Sequence, residues 1–351
     1  MSTEMTSRSA PVPHQEDMSR LRELIMGFRI TQMIHVAAKF GLADHLARKP
    51  QTARELAPLV GAEPVSLHRL LRALASIGVF AETAGSVFET TPMAELLRHD
   101  QPGSLRSTAM LYGDELLWNA FGQLSRVIAT GKSAFEQLHG QSFYGYLDEH
   151  SAAAALFNDA MTGFSEQEAG AILEAYDFSA VRAIVDVGGG QGALMAALLH
   201  AHAHLHGVIF DRSPPTDDTR QLFERLDILG RADFVQGDFF ATVPRGGDLY
   251  VLKSIVHNWK DDDATAILRN CRLAMPSSGR LVVGERIIPP GNAPAEAKLF
   301  DINMMITAGG QERTKAQYAA LFAAAGLKMA RVIPTRSPIS LIEAIPAPRK
   351  N

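Results

Sequence analysis

A histidine and several carboxylates carry this chain's chemistry, and most of them fall where an apolar run ends. The run Val208-Ile-Phe closes on Asp211, and Gln236-Gly leads to Asp238. Leu252-Lys-Ser-Ile-Val leads to His257, and Glu285 lies late in Leu281-Val-Val-Gly-Glu-Arg-Ile-Ile. Glu312 stands in Gly309-Gly-Gln-Glu-Arg-Thr314, just before a Thr314-x-x-Gln317 capping box. A histidine flanked by carboxylates suits a general base: one acid takes a ring N–H, fixes the tautomer and raises basicity. Asp211 is placed to accept from two ribose hydroxyls, and Asp238 to accept from an adenine amino group beside the aromatic Phe239. Either aspartate alone reads as a helix N-cap. Together, at two strand ends of one sheet, they read as ligand contacts.

The elements needed to position these groups start at Ala183-Ile-Val-Asp-Val, followed by Gly188, Gly189, Gly190 and Gly192, then by Leu194, Met195, Leu198 and Leu199 at helical spacing. Strand, glycine turn and helix let bare backbone approach a ligand, with the first helical N–H groups favouring a negative one. Gly188-x-Gly190-x-x-Ala193 satisfies the dinucleotide fingerprint in form. Asp186, inside the strand, points instead to a cationic ligand or a pinned glycine loop. S-adenosylmethionine, with its ammonium, carboxylate and sulfonium, would use both features. Further strands are expected at 207–211, 233–238, 249–254 and 280–287, and a closing hairpin at 329–334 and 339–345. The expected fold is α/β, a doubly wound parallel sheet whose ligands bind beyond the carboxyl ends of its strands.

The 351 residues suffice for two domains, and 46% hydrophobic with 21% charged residues is a globular composition. The net charge of −4 argues against a general nucleic-acid partner. A single cysteine, Cys271, suits a reducing cytoplasm. No apolar run approaches membrane-spanning length, and residues 1–16 read as a disordered tail rather than a signal peptide. Met18 to Leu46 reads as a helix with a broad apolar face that a partner subunit could cover. Two short helices and two short strands then resemble a winged helix. Residues 51–99 hold four Arg, no Lys and five Glu, so the module reads as an assembly or substrate-covering element. Residues 104–175 read as helical and rich in aromatics, some of which could line a pocket for a flat acceptor. The alternating His200, His202, His204 and His206 lack metal-ligand spacing, no metal is expected, and Asp261–Asp263 reads as a solvated helix start.

Taken in order, Asp186-Val-Gly-Gly-Gly-Gln-Gly192, Phe210-Asp211, Gly237-Asp238-Phe-Phe240, Leu252-Lys253, His257-Asn-Trp259 and Gly309-Gly-Gln-Glu-Arg-Thr314 resemble the caffeic acid and acetylserotonin O-methyltransferases, whose microbial relatives decorate aromatic natural products. The resemblance covers nearly all of residues 18–345, including a block with Trp118, Phe157 and Met161. It implies a seven-stranded, Rossmann-like S-adenosylmethionine domain behind a winged-helix dimerisation domain that swaps into a homodimer and covers its partner's site. The implied division is a winged-helix domain at 17–103, a helical pocket region at 104–176 and the catalytic domain at 177–351. Gly188 and Gly190 would meet the amino-acid part of the cofactor, Asp211 the ribose, and Asp238 with Phe239 the adenine, completed by Lys253 and Ser165. His257 would be the base, flanked by Glu285 and Glu312. Trp118, Phe157, Met161, Asn258, Asn303 and Thr307 would line the acceptor pocket, with Asn258 where many members carry Asp.

These residues suit transfer of a methyl group to a hydroxyl of a small aromatic molecule, with S-adenosylhomocysteine as the other product. Methyl transfer to nitrogen or carbon, S-adenosylmethionine bound without methylation, a nicotinamide-dependent reaction, and a winged-helix regulator that senses S-adenosylmethionine are the competing readings.

Overall fold

Alternation along the strands decides which face of the sheet Asp186, Lys253 and Glu285 occupy. The computed structural model describes residues 14–101 and 103–348. The described chain divides at Asp114/Glu115 into two units. Of the expected N-terminal tail, residues 1–13 lie outside the described residues, while Gln15 already begins a helix.

In the first unit the expected helix at 18–46 is three: Gln15–Ile25, Phe28–Lys39 and Leu42–Arg48. Gly27 and Gly41 separate them, the latter at φ +60°, a conformation open to glycine at little cost. Beyond lie β1 (Gln51–Thr52), the helices Ala53–Val60 and Pro64–Ser76, and the hairpin β2 (Phe80–Thr83) and β3 (Val87–Thr90), in sheet order β1-β3-β2. Thr52 and Glu55 form a reciprocal capping box at the first of these helices. Leu42, Leu56, Leu71, Leu74, Phe80 and Phe88 fill the core. The helix Arg106–Gly113 belongs to this unit, where Gln32 Nε2 donates to Gly113 O and His35 Nδ1 lies 3.1 Å from Met110 O. Met18, Leu21, Leu24 and Ile25 leave an apolar stripe exposed on the first helix.

The second unit opens with short helices, 115–121, 124–130, 134–139 and 143–149, before the long helix Ser151–Ala175. Gly131 and Gly140 end two of the short ones in left-handed turns, and Ser133 and Ser142 cap the next. The sheet then follows: β4 (Ala183–Val187), β5 (His206–Asp211), β6 (Ala232–Gln236), β7 (Leu249–Lys253), β8 (Arg280–Glu285), β9 (Leu327–Pro334) and β10 (Ser340–Pro346). Their order is β6-β5-β4-β7-β8-β10-β9, with β10 antiparallel to both neighbours and the rest of the ladder from β6 to β8 parallel. This is the expected seven-stranded, doubly wound sheet. β6 and β8 end two residues earlier than expected, leaving Asp238 past its strand and Glu285 as the last strand residue.

One face packs Val185, Tyr250, Leu252, Leu281 and Val283 against the helices Asp261–Ala274 and Lys315–Ala324. The other packs Ile184, Val251 and Val282 against helices 151–175, 193–201 and 217–225. With a side-chain period of two, Asp186 and Lys253 share the second face, whereas Glu285 shares the first. Among the described residues no helix is long and apolar enough to cross a membrane.

Candidate active site

His257 sits in the short 3₁₀ turn Val256–Asn258 that follows β7, with its ring buried. Its Nδ1 lies 2.7 Å from Glu312 Oε1 and 3.1 Å from Glu285 Oε2. One N–H cannot point at two carboxylates, and Glu312 takes the hydrogen bond. Glu285 turns its other oxygen to the backbone, accepting from the N–H groups of Ile255 at 3.1 Å and His257 at 3.2 Å. One acid therefore orients the ring and the other holds its loop. A donated Nδ1–H leaves the Nε2 lone pair as the basic position.

Burial works against a charge on His257, but Glu285 and Glu312 outweigh it and raise its pKa above the ordinary 6.5. Burial also raises the Glu285 carboxyl, which His257 lowers in part and Glu312 raises further. Sequence reading passed over the residue that braces this cluster. Arg313 is fully buried, donates to the carbonyls of Val256 and Trp259, and pairs with Asp261 Oδ1 at 2.8 Å. Asp261 is thus more than the solvated helix start expected of it. Gln311 N–H donates to His257 O at 2.8 Å, and a Cβ on Gly310 would collide with that same carbonyl. Asn258, expected in the acceptor pocket, donates its side-chain amide back to Ser254 O at 3.1 Å. That bond closes a turn in which Ser254 holds φ +56°.

At the glycine turn, Gly188, Gly190 and Gly192 all have φ between +56° and +76°. A side chain on Gly188 would strike Ile255, and one on Gly189 would stand 2.8 Å from Asp186 Oδ2. Gly190 N–H donates to Asp211 Oδ2 at 2.9 Å, and Ser213 N–H to Oδ1 at 3.1 Å. The helix Ala193–Ala201 starts without a side-chain cap, so its first N–H groups face the turn. Asp238 Oδ1 accepts from Phe240 N–H at 2.8 Å, and Asn270 holds the Phe239 and Phe240 carbonyls. Phe239 lies next to Gly188 and edge-on to Trp259, which stacks on the half-buried Tyr144. The sequence places Trp259 in the motif after the histidine and Tyr144 among the pocket-region aromatics, but assigns neither a role in the site.

Lys253 crosses Gly284 and pairs with Glu168 at 3.0 Å, both side chains being buried. Burial pushes Asp186 up to about 7, against the pull of nearby Lys253 and with a smaller push from Asp211. Ser165 lies on the same long helix as Glu168, one turn earlier, and is half-buried. Phe157 meets Phe143 and Tyr144 edge-on, with Met161 one turn further along. Thr307 Oγ1 donates to Asn303 O at 2.7 Å, and the helix that carries Asn303 packs Ile302, Met305 and Ile306 into the same apolar cluster as Phe157. Trp118 lies half-buried beside Leu117 and Ala120.

The model of the O-methyltransferase domain matches residues 121–328, and that of the O-methyltransferase dimerisation domain matches residues 22–100. A phenazine O-methyltransferase of Lysobacter antibioticus is 40% identical over 328 residues, covering 93% of this chain and 96% of that relative. An 8-amino-8-demethylriboflavin N,N-dimethyltransferase of Streptomyces davaonensis is 30% identical, with 96% and 98% covered. A solved O-methyltransferase from neocarzinostatin biosynthesis, in complex with S-adenosylmethionine and 2-hydroxy-5-methyl naphthoic acid, superposes with a TM-score of 0.75 at 34% identity, covering 90% of this chain and 96% of that one. This chain belongs to the O-methyltransferase family. It is an S-adenosylmethionine-dependent enzyme and a homodimer through its dimerisation domain.

The glycine turn fits that cofactor. At Gly190, beside Asp211, the position of a Cβ is open space, and the helix start carries no side-chain cap. The Asp211 carboxylate, joined by Asp186 once pH passes about 7, gives the same end a negative field suited to an ammonium and a sulfonium.

Proposed function

We propose that the enzyme methylates a hydroxyl of a small, flat aromatic metabolite, with His257 as general base. The observation that carries this reading is the buried pair His257–Glu312, with Glu285 holding the same loop from below. When bound, S-adenosylmethionine supplies a methyl group on a sulfonium, already activated for in-line displacement, so the protein has only to align, dehydrate and deprotonate the acceptor. Gly188, Gly190, Asp211, Asp238 and Phe239 would hold it, with Lys253 and Ser165 at the edge of the site.

His257 takes the acceptor's proton at Nε2 as the oxygen becomes nucleophilic. An ordinary phenol and an ordinary imidazole differ by roughly 3.5 pKa units, about 5 kcal/mol, too much for full prior deprotonation at no cost. The carboxylates at Nδ1 raise the imidazole and narrow that gap. Proton removal during attack supplies the rest, a contribution of ~10²–10⁴ in rate. Alignment within a closed apolar site is the larger share, ~7–11 kcal/mol. Phe157, Met161, Asn303, Thr307 and Trp118 are the acceptor wall in this reading. The aromatic set of Phe143, Tyr144 and Phe157 supports a flat acceptor. Such an acceptor also matches the phenazine and naphthoate compounds named for the relatives.

Transfer to an amine is the second reading, favoured by the N,N-dimethyltransferase relative. A panel of hydroxylated aromatics and their amino analogues, assayed with isotopically labelled cofactor, decides between them. Turnover of amino analogues alone would overturn the hydroxyl reading. The domain division at 17–103, 104–176 and 177–351 remains part of this proposal, with the helix 106–113 reassigned to the first unit. A cytoplasmic setting agrees with the single, buried Cys271.

A further inference from the structure

Phe300 is on the helix Glu296–Ile306, one turn before Asn303 and two before Thr307, hence on the helix face assigned to the acceptor. Its ring stacks on the His257 imidazole, with centroids 6.1 Å apart and planes 18° from parallel. The Arg286 guanidinium lies over the Phe300 ring, 3.9 Å from its centroid. Arg286 is buried at the end of β8, immediately after Glu285, and its ion pair with Glu296 spans 3.3 Å. Its Nε has no hydrogen-bond partner among the described residues, so the ring face is a main contact of this cation.

The carboxylates fix one point of the imidazole, Nδ1, and leave the ring able to tilt about it. A flat ring lying nearly parallel and offset against the imidazole restricts that tilt and so biases where Nε2 stands. We propose that Phe300, clamped by Arg286, is a positioning residue for the base, coupling the tilt of His257 to the helix that lines the acceptor pocket. The inference rests on His257 being the base. It assigns Arg286 a second effect, because a buried cation near His257 opposes protonation of the imidazole.

Charged and titratable groups reach this cluster from every element packed against it. Glu285 and Arg286 come from β8 and its end, and Glu312 and Arg313 from the loop before helix 315–324. Asp301, on the Phe300 helix, accepts the Glu312 backbone N–H, and Asp261 pairs with Arg313. The buried Tyr318 hydroxyl feels Glu285, Glu312 and Asp301, and the half-buried Tyr144 hydroxyl feels Asp211 and Glu285.

The test is kcat and KM against pH, at saturating S-adenosylmethionine and on one verified acceptor, for the full chain. The variants are Phe300→Leu, Phe300→Tyr, Arg286→Gln, Arg286→Lys and His257→Ala. Phe300→Leu should lower kcat by about 10-fold, as expected for a small misplacement of a reacting group, and leave KM for the cofactor unchanged. Phe300→Tyr, which keeps the ring, should recover most of that loss. Arg286→Gln should move the acid limb of the kcat profile to higher pH, and Arg286→Lys should leave it in place. A purely structural role would lower activity evenly and move no limb. Wild-type kcat in Phe300→Leu, or an unmoved limb in Arg286→Gln, overturns the proposal; the second result decides it should Phe300→Leu fail to fold. If His257→Ala abolishes turnover in that event, the base reading stands and only the positioning role falls. Retained turnover in His257→Ala removes the base reading, and this inference with it.

Discussion

Gly310 and His257 meet backbone to backbone. The carbonyl of His257 accepts from Gln311 N–H, and no atom larger than hydrogen fits on the Gly310 Cα at that contact. The His257 loop and the Glu312 loop are thus one unit, braced from within by Arg313. Gly310→Ala should force the loops apart and carry Glu312 away from Nδ1. We expect kcat to fall by ~10- to 100-fold, the upper figure being about the cost of an ångström of misplacement, with a lower melting temperature. Steady-state kinetics with a thermal melt check this, and wild-type kcat would mean that the loops need not touch.

Asp211 connects the glycine turn to the β5 end. Asp211→Asn keeps the shape but loses the charge and one acceptor, so Gly190 N–H, and in the proposed function a ribose hydroxyl, lose their charged partner. Affinity for S-adenosylmethionine should drop by roughly 1–3 kcal/mol, about 5- to 150-fold, while the acceptor KM stays within a factor of two or so. Isothermal calorimetry reads the first quantity directly. Equal affinities in the variant and wild type would remove Asp211 from the cofactor site.

The exposed stripe Leu21, Leu24 and Ile25 lies at i, i+3 and i+4 on the first helix, inside or beside the dimerisation match that begins at residue 22. Leu21→Asp with Leu24→Asp places two charges where apolar contact is expected. Sedimentation equilibrium should then find a monomer at concentrations where wild type is dimeric. A dimer of unchanged affinity would assign the interface to another surface.

Asp186 gives a stability test with a definite sign. Its pKa rises from 3.8 unfolded to about 7 folded, mainly by burial. The stability this group contributes is complete below pH 3.8 and is lost as pH rises through about 7. The cofactor-free enzyme should therefore lose part of its stability between those limits, and Asp186→Asn should flatten that slope. Denaturant midpoints at pH 5 and 8 measure it. An equal slope in both proteins would mean that Lys253 keeps Asp186 ionised throughout.

Much of this arrangement was legible in the sequence because strands of period two and a glycine turn leave clear patterns. Asp211, His257 and Glu285 could be placed at strand ends before any coordinates, and Glu312 by the capping box that follows it. Less legible were contacts that depend on chain segments far apart. Arg313 reads as one more charged residue after Glu312, and only the fold brings it to the Val256 and Trp259 carbonyls. Glu168 gives no local signal on a long helix, yet it is the partner of Lys253. Phe300 and Arg286 are 14 residues apart and meet because the loop after β8 returns to the same face. The helix expected at 18–46 was over-extended because its apolar periodicity outweighed Gly27 and Gly41 as breaks.

The measurement that bears most directly on the central claim is kcat against pH for wild type, His257→Ala and Glu312→Gln on one verified acceptor. The base works in its deprotonated form and its pKa is raised, so wild-type kcat should fall on the acid side along a limb above pH 6.5. Glu312→Gln removes a carboxylate that supports the imidazolium, so its limb should shift to lower pH with a smaller loss of rate. His257→Ala should lose ~10²–10⁴ in kcat at pH 7, and recover as pH approaches the acceptor's own pKa. Wild-type turnover in His257→Ala at pH 7 would contradict the account and leave alignment alone as the source of catalysis.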